Sequence, residues 1–147
     1  MFWPPLLIGV VLGIASVGLM ALAGVARERG GYAVAMVAIA AFYPVFAVER
    51  GWDVFAFHAV VASLFIALAV MGARQSLWWL VAAMILHGLF DMLDGLSAPD
   101  PSPGWWGPFC LGVDLAIGLS LAFLILRGPS PSGHGAMSFN PIKDHTQ

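Results

Sequence analysis

A chain of 147 residues in which 61% are hydrophobic and only 10% charged, with a mean hydropathy of +0.91, is too apolar for a soluble domain of that length. The formal charge of -2 and the scattering of six basic residues exclude a nucleic-acid-binding surface, and a single cysteine, Cys110, excludes an intrachain disulfide. What remains is an all-α integral membrane protein: one bundle of about five transmembrane helices over 1–127 and a flexible tail over 128–147.

In chain order, the first apolar run, 3–26, has the length that a bilayer crossing needs. Ala21-Leu22-Ala23 resembles a signal-peptidase site, but no Lys or Arg precedes the run and it exceeds an ordinary signal core, so a retained helix is expected. Gly9 and Gly13 form a small-xxx-small pair that would let another helix approach closely, and a second copy or a membrane-complex partner could use it. Arg27-Glu28-Arg29-Gly30-Gly31 ends this run. A second crossing, 32–48, contains Pro44, which should kink it. Glu49-Arg50-Gly51 makes a tight turn into a third crossing, 52–71, with Asp53 at its start and His58 further in. After 72–76 comes a fourth, 77–93, with Gly95 placed where a helix C-cap would use it. Pro99, Pro101 and Pro103 make the next connection non-helical. A fifth crossing, 105–126, carries Cys110 and Asp114. The tail is rich in Gly, Pro and Ser and lacks apolar periodicity, and its His134 and His145 have no assigned role.

Five crossings collect Arg27, Arg29, Arg74, Arg127 and Lys143 on one side and leave Arg50 on the other. The positive-inside rule then places the C-terminus in the cytoplasm and the N-terminus outside a cell membrane. Tryptophans agree: Trp3, Trp52, Trp105 and Trp106 fall at one interface, Trp78 and Trp79 at the other. With this topology Glu49, Asp53, Asp91 and Asp94 lie near the outer ends of their helices, and His58, His87 and Asp114 lie roughly 8 to 14 Å deeper at 1.5 Å rise per residue. All seven belong to the outer leaflet. An uncompensated charge in hydrocarbon costs at least about 2.5 kcal/mol, so these groups should face one another, water or an ion.

His87, Asp91 and Asp94 share one helical stripe, because four and seven residues are close to whole turns. An imidazole and a carboxylate at i, i+4 can fix a tautomer, exchange a proton or bind a metal. Asp114 is too deep and too short to snorkel, and Cys110 and Gly118 share its stripe. The expected catalytic set is His87, Asp91, Asp114, Asp53 and His58; a metal-assisted site would draw on His58, His87, Asp91, Asp114 and Cys110. Each has a plainer alternative. Asp114 can be interhelical glue, His58 a hydrogen-bonded core residue, Glu49 and Asp53 partners of Arg50 or a helix cap, and Asp94, beside the expected helix stop, a cap or a solvated group.

Trp52-Asp53-Val54-Phe55-Ala56-Phe57, His87-Gly88-Leu89-Phe90-Asp91 and Cys110-Leu111-Gly112-Val113-Asp114 resemble three blocks of a group of small bacterial multi-pass membrane proteins of uncharacterised activity. The resemblance covers about half the chain. In that group the first block tends to have Trp-Glu and the second is followed by a pair of histidines; here Asp53 replaces the glutamate and Asp94-Gly95 stands in place of the histidines. A shared polar site is implied, and a histidine-rich metal site is not.

Three classes of function follow. A membrane enzyme would use the acids and His87 for acid–base chemistry, with or without a divalent metal, on a lipid or isoprenoid-like substrate held by apolar walls. Proton or cation transport would use the same groups, although no relay continues through the inner half. A structural or accessory subunit would use them as interhelical glue. Membrane lipids are the expected partners in every case.

Overall fold

The computed structural model describes residues 2–97 and 99–128. It is all-helical: α1 (Trp3–Leu22), α2 (Arg29–Ala47), α3 (Trp52–Arg74), α4 (Leu77–Ser97) and α5 (Trp106–Leu126), with no strand among the described residues. All five helices are long and apolar enough to cross a membrane. The tail beyond Gly128, with His134 and His145, lies outside the described residues.

Local chemistry explains the ends. Pro4 and Pro5 open α1, where a missing N–H costs nothing. Between α2 and α3, Gly51 takes φ +105°, a conformation that a side chain would strain, and so permits the short reversal after Ala47. Several boundaries differ from expectation: α2 begins at Arg29 rather than Tyr32, and α3 continues to Arg74 rather than ending at Met71. α1 stops at Leu22 rather than Ala26, and α4 runs through Gly95 to Ser97 instead of capping there. A glycine inside a helix costs only about 1 kcal/mol relative to alanine, whereas Pro99 forbids continuation. Pro44 does not end α2 either, since the helix continues to Ala47.

The connections place the helix ends. Arg29 Nη1 donates to the Gln75 carbonyl at 3.1 Å, which joins the α1–α2 and α3–α4 connections at one end of the bundle. At the other end Trp106 packs against Phe42 and Phe46 of α2, with ring centroids 4.9 and 5.0 Å apart. Near the first end the core is apolar, built from Tyr32, Met36, Phe65, Leu80, Met84 and Leu121. Towards the second end the buried residues become polar: His58, His87, Asp91, Asp94 and Asp114. Large apolar side chains such as Leu7, Val11, Val60, Leu64, Leu89 and Leu119 point outward, as a lipid-facing surface requires.

Glycines set the α1–α5 contact. A Cβ on Gly13 would lie 2.9 Å from the Val113 carbonyl oxygen and one on Gly112 would lie 2.8 Å from the Val10 nitrogen, while one on Gly9 would strike the Phe109 carbonyl. The close approach that Gly9 and Gly13 allow is therefore filled by α5 of the same chain.

Candidate functional site

Three helices deliver the polar residues. On α4, His87 and Asp91 lie one turn apart, and Asp94 continues the stripe. α5 brings Asp114 across from them, and Gly88 makes room for it: a Cβ at 88 would lie 3.4 Å from the Asp114 Cβ and 3.1 Å from Leu111 Cδ1. Gly107 does the same nearer the helix start, where a Cβ would lie 2.7 Å from the Asp91 carbonyl oxygen. α3 supplies His58.

These groups form two buried assemblies. In the first, His58 Nδ1 donates to the Val54 carbonyl at 2.8 Å, and Nε2 lies 3.0 Å from both oxygens of Asp94. A carbonyl can only accept, so Nδ1 carries a hydrogen, and a second proton must lie between Nε2 and Asp94. Whether it sits on nitrogen or oxygen, the pair is neutral overall and fully bonded, which suits an apolar setting.

The second assembly is less complete. His87 Nδ1 lies 2.9 Å from Asp114 Oδ2, as a hydrogen bond, and 3.3 Å from Asp91 Oδ2. One ring nitrogen thus faces two carboxyl groups, and a single hydrogen can bridge it to only one of them. Asp114 is the bonded partner. Neither oxygen of Asp91 has a hydrogen-bond partner, nor does Asp114 Oδ1, although all three atoms are buried. His87, Asp91 and Asp114 each offer one ligand atom, and these atoms lie within 4.8 Å of one another. Buried polar atoms are usually paired, so three carboxyl oxygens without a partner in one place set this assembly apart from the His58–Asp94 pair.

Tyr43 of α2 stands between the assemblies. Its ring stacks on His58 at 5.6 Å with planes 5° apart and meets His87 at 6.1 Å edge-on. Its hydroxyl is buried and also lacks a partner. Phe65 closes the other side of His87 at 4.9 Å. Tyr43 was not among the candidates from sequence. The available signal was a phenol, one of only two tyrosines, at the end of a crossing nearest the other polar residues and one residue before a proline.

The expected set is therefore divided. His87, Asp91 and Asp114 converge. His58 is buried but belongs to a separate pair, and its partner is Asp94, which is 1% exposed rather than the solvated cap that its place near a supposed helix stop suggested. Cys110 is buried one turn before Asp114, yet its sulfur is not among the converging atoms. Asp53 and Glu49 are exposed and join neither assembly. Asp53 occupies the first turn of α3, where it complements the helix dipole. Asp53→Asn should accordingly change unfolding free energy by no more than about 0.5 kcal/mol in detergent-based denaturation. A loss several times larger would return Asp53 to the site.

Compared with protein-family models, curated proteins and solved structures, the chain matches none.

Proposed function

We propose that the chain is a membrane-embedded enzyme that uses His87, Asp91 and Asp114 for acid–base chemistry on a lipid or isoprenoid-like substrate, in the outer leaflet of a cell membrane. The N-terminus would lie outside and the C-terminus in the cytoplasm, following the basic residues. The observation that carries this reading is the uncommitted Asp91 carboxyl, 3.3 Å from an imidazole nitrogen already bonded to Asp114. An imidazole flanked by two carboxyl groups can pass a proton between them, and a carboxyl with no hydrogen bond of its own is free to turn toward a substrate. A carboxyl kept only to join helices would be hydrogen-bonded, as Asp94 is to His58.

A place for the apolar part of a substrate supports the same reading. A groove of about 720 Å³ lies at the polar end of the bundle, lined by Pro4, Pro5, Ile8, Phe42, Trp105, Trp106 and Phe109 and wholly apolar. Trp106 immediately precedes Gly107, whose backbone rests against Asp91. Transport is less well supported, because the other half of the core is packed with apolar side chains and offers no continuing relay.

Asp91→Asn separates the enzyme from the structural subunit. Having no hydrogen bond to lose, the amide should leave stability within about 1 kcal/mol of the parent. Turnover should fall by about 100-fold or more, as expected for loss of a general acid or base. Purified protein reconstituted in a total bacterial lipid extract, with the lipids followed by mass spectrometry, gives the readout. A wild-type sample that alters no component of the extract, or an Asp91→Asn sample that alters the same one equally fast, contradicts the proposal.

A further inference from the structure

We infer that His87 Nδ1, one oxygen of Asp91 and one oxygen of Asp114 bind a divalent transition-metal ion of the zinc or manganese type. This deepens the acid–base reading of the same site, and rests on it only for what the ion would do there.

Geometry comes first. Ligand nitrogens and oxygens sit about 2.0–2.2 Å from such an ion, so neighbouring ligands are about 3.0–3.5 Å apart in octahedral or tetrahedral arrangements. The spacings from His87 Nδ1, 2.9 Å to Asp114 and 3.3 Å to Asp91, are edges of that size. His58 and Asp94 show the contrast: there both carboxylate oxygens close on one nitrogen and nothing is left over.

Charge is the second consideration. With both carboxyls ionised the set carries two negative charges in a setting where each uncompensated one costs at least about 2.5 kcal/mol. Protonating His87 removes one of them. A divalent cation removes both and leaves the imidazole neutral, the form in which it ligates. The third consideration is the orphaned atoms. Both Asp91 oxygens, Asp114 Oδ1 and, outside the triad, the Tyr43 hydroxyl are buried without partners, and Asp91 is 7% and Tyr43 2% exposed. A metal would engage the carboxyls directly, and a phenol beside them is a natural donor to a ligand oxygen.

The donor set chooses the ion. One imidazole and two carboxylates favour zinc, manganese or ferrous iron; magnesium and calcium prefer oxygen alone, and cuprous ions prefer sulfur. Three protein ligands leave a position for water or substrate, as catalytic sites do.

The test uses the full chain in detergent micelles, stripped with a chelator, dialysed and titrated with Zn²⁺, Mn²⁺ or Mg²⁺. A His134→Ala/His145→Ala background removes adventitious binding by the tail. About one Zn²⁺ or Mn²⁺ per chain is expected, with Mg²⁺ bound far more weakly, and Asp91→Asn should weaken Zn²⁺ binding by about 100-fold or more. Co²⁺ bound to the unaltered site provides a second readout that needs no variant of the triad: its visible bands should report nitrogen and oxygen ligands without a thiolate charge-transfer band. No stoichiometric ion in the wild type, undiminished binding in Asp91→Asn, or a thiolate band that brings in Cys110 would each overturn the assignment. Because these readouts are of binding, a metal-loaded protein that transforms no lipid would refute the enzyme and keep the site, and turnover by a wild type that binds no stoichiometric ion would keep the enzyme and refute the site.

Discussion

His87→Ala is expected to destabilise the bundle by about 3–5 kcal/mol, the usual cost of removing one member of a buried charged set and leaving the others unpaired. Among the described residues His87 is the basic group beside both carboxyls, hydrogen-bonded to Asp114 at 2.9 Å and 3.3 Å from Asp91. Its ring also fills the space between Phe65 and Tyr43. Two effects therefore add: a small cavity opens, and two buried carboxyl groups lose the imidazole beside them. The double variant His87→Ala/Asp114→Asn tells them apart. If electrostatics dominate, the amide should make the combined loss smaller than the sum of the single losses by about 1–3 kcal/mol. Denaturation in mixed detergent micelles measures both quantities, and strictly additive losses would mean that His87 acts by packing alone.

Gly112→Val should damage the fold through the α1–α5 contact rather than through loss of a polar group. The first atom of the new side chain would collide with the Leu6 carbonyl and would lie 2.8 Å from the Val10 nitrogen. Both are backbone atoms of α1, which cannot rotate away as a side chain would, so α1 as a whole must move from α5. Overpacking of a tight contact usually costs 1–3 kcal/mol, and here about 3 kcal/mol or more is expected because no flexible neighbour can yield. The same substitution at Gly104, which has open space around it, is the control and should cost less than about 0.5 kcal/mol. Equal effects at the two positions would refute the glycine-mediated contact. Since Asp114 lies two residues beyond Gly112 on α5, Gly112→Val should also disturb the polar site, whereas Gly104→Val should not.

The five crossings were legible because apolar runs of that length have few alternatives and charged, glycine-bearing stretches separate them, although α2 begins at Arg29, inside the first such stretch. The convergence of His87, Asp91 and Asp114 was also legible, because an i, i+4 pair and a deep aspartate each require a partner inside the membrane. Helical spacing could have gone further. Asp53 and His58 are five residues apart, about 140° around the helix, so a face that buries the imidazole turns the carboxylate away. Asp94 misled for another reason: Gly95 resembles a cap, and only the competition between a tolerable glycine and a forbidding proline at 99 decides that α4 continues. What the spacing could not supply was partner choice. Gly9 and Gly13 announce a close neighbour but not which one, and the pairing of His58 with Asp94 rather than with His87 depends on how α3 sits against α4.

The contact between α1 and α5 also bears on how the protein is made. Helices enter a membrane in order of synthesis, so the helix that Gly9 and Gly13 await is the last of the five to arrive. Until then α4 must reside in the bilayer with His87 and Asp91 facing no Asp114, and α1 with its glycine groove unfilled. The final helix supplies both missing surfaces at once. A chain ending ahead of α5 should therefore be degraded faster in cells than the five-helix chain, which a pulse-chase measurement would show.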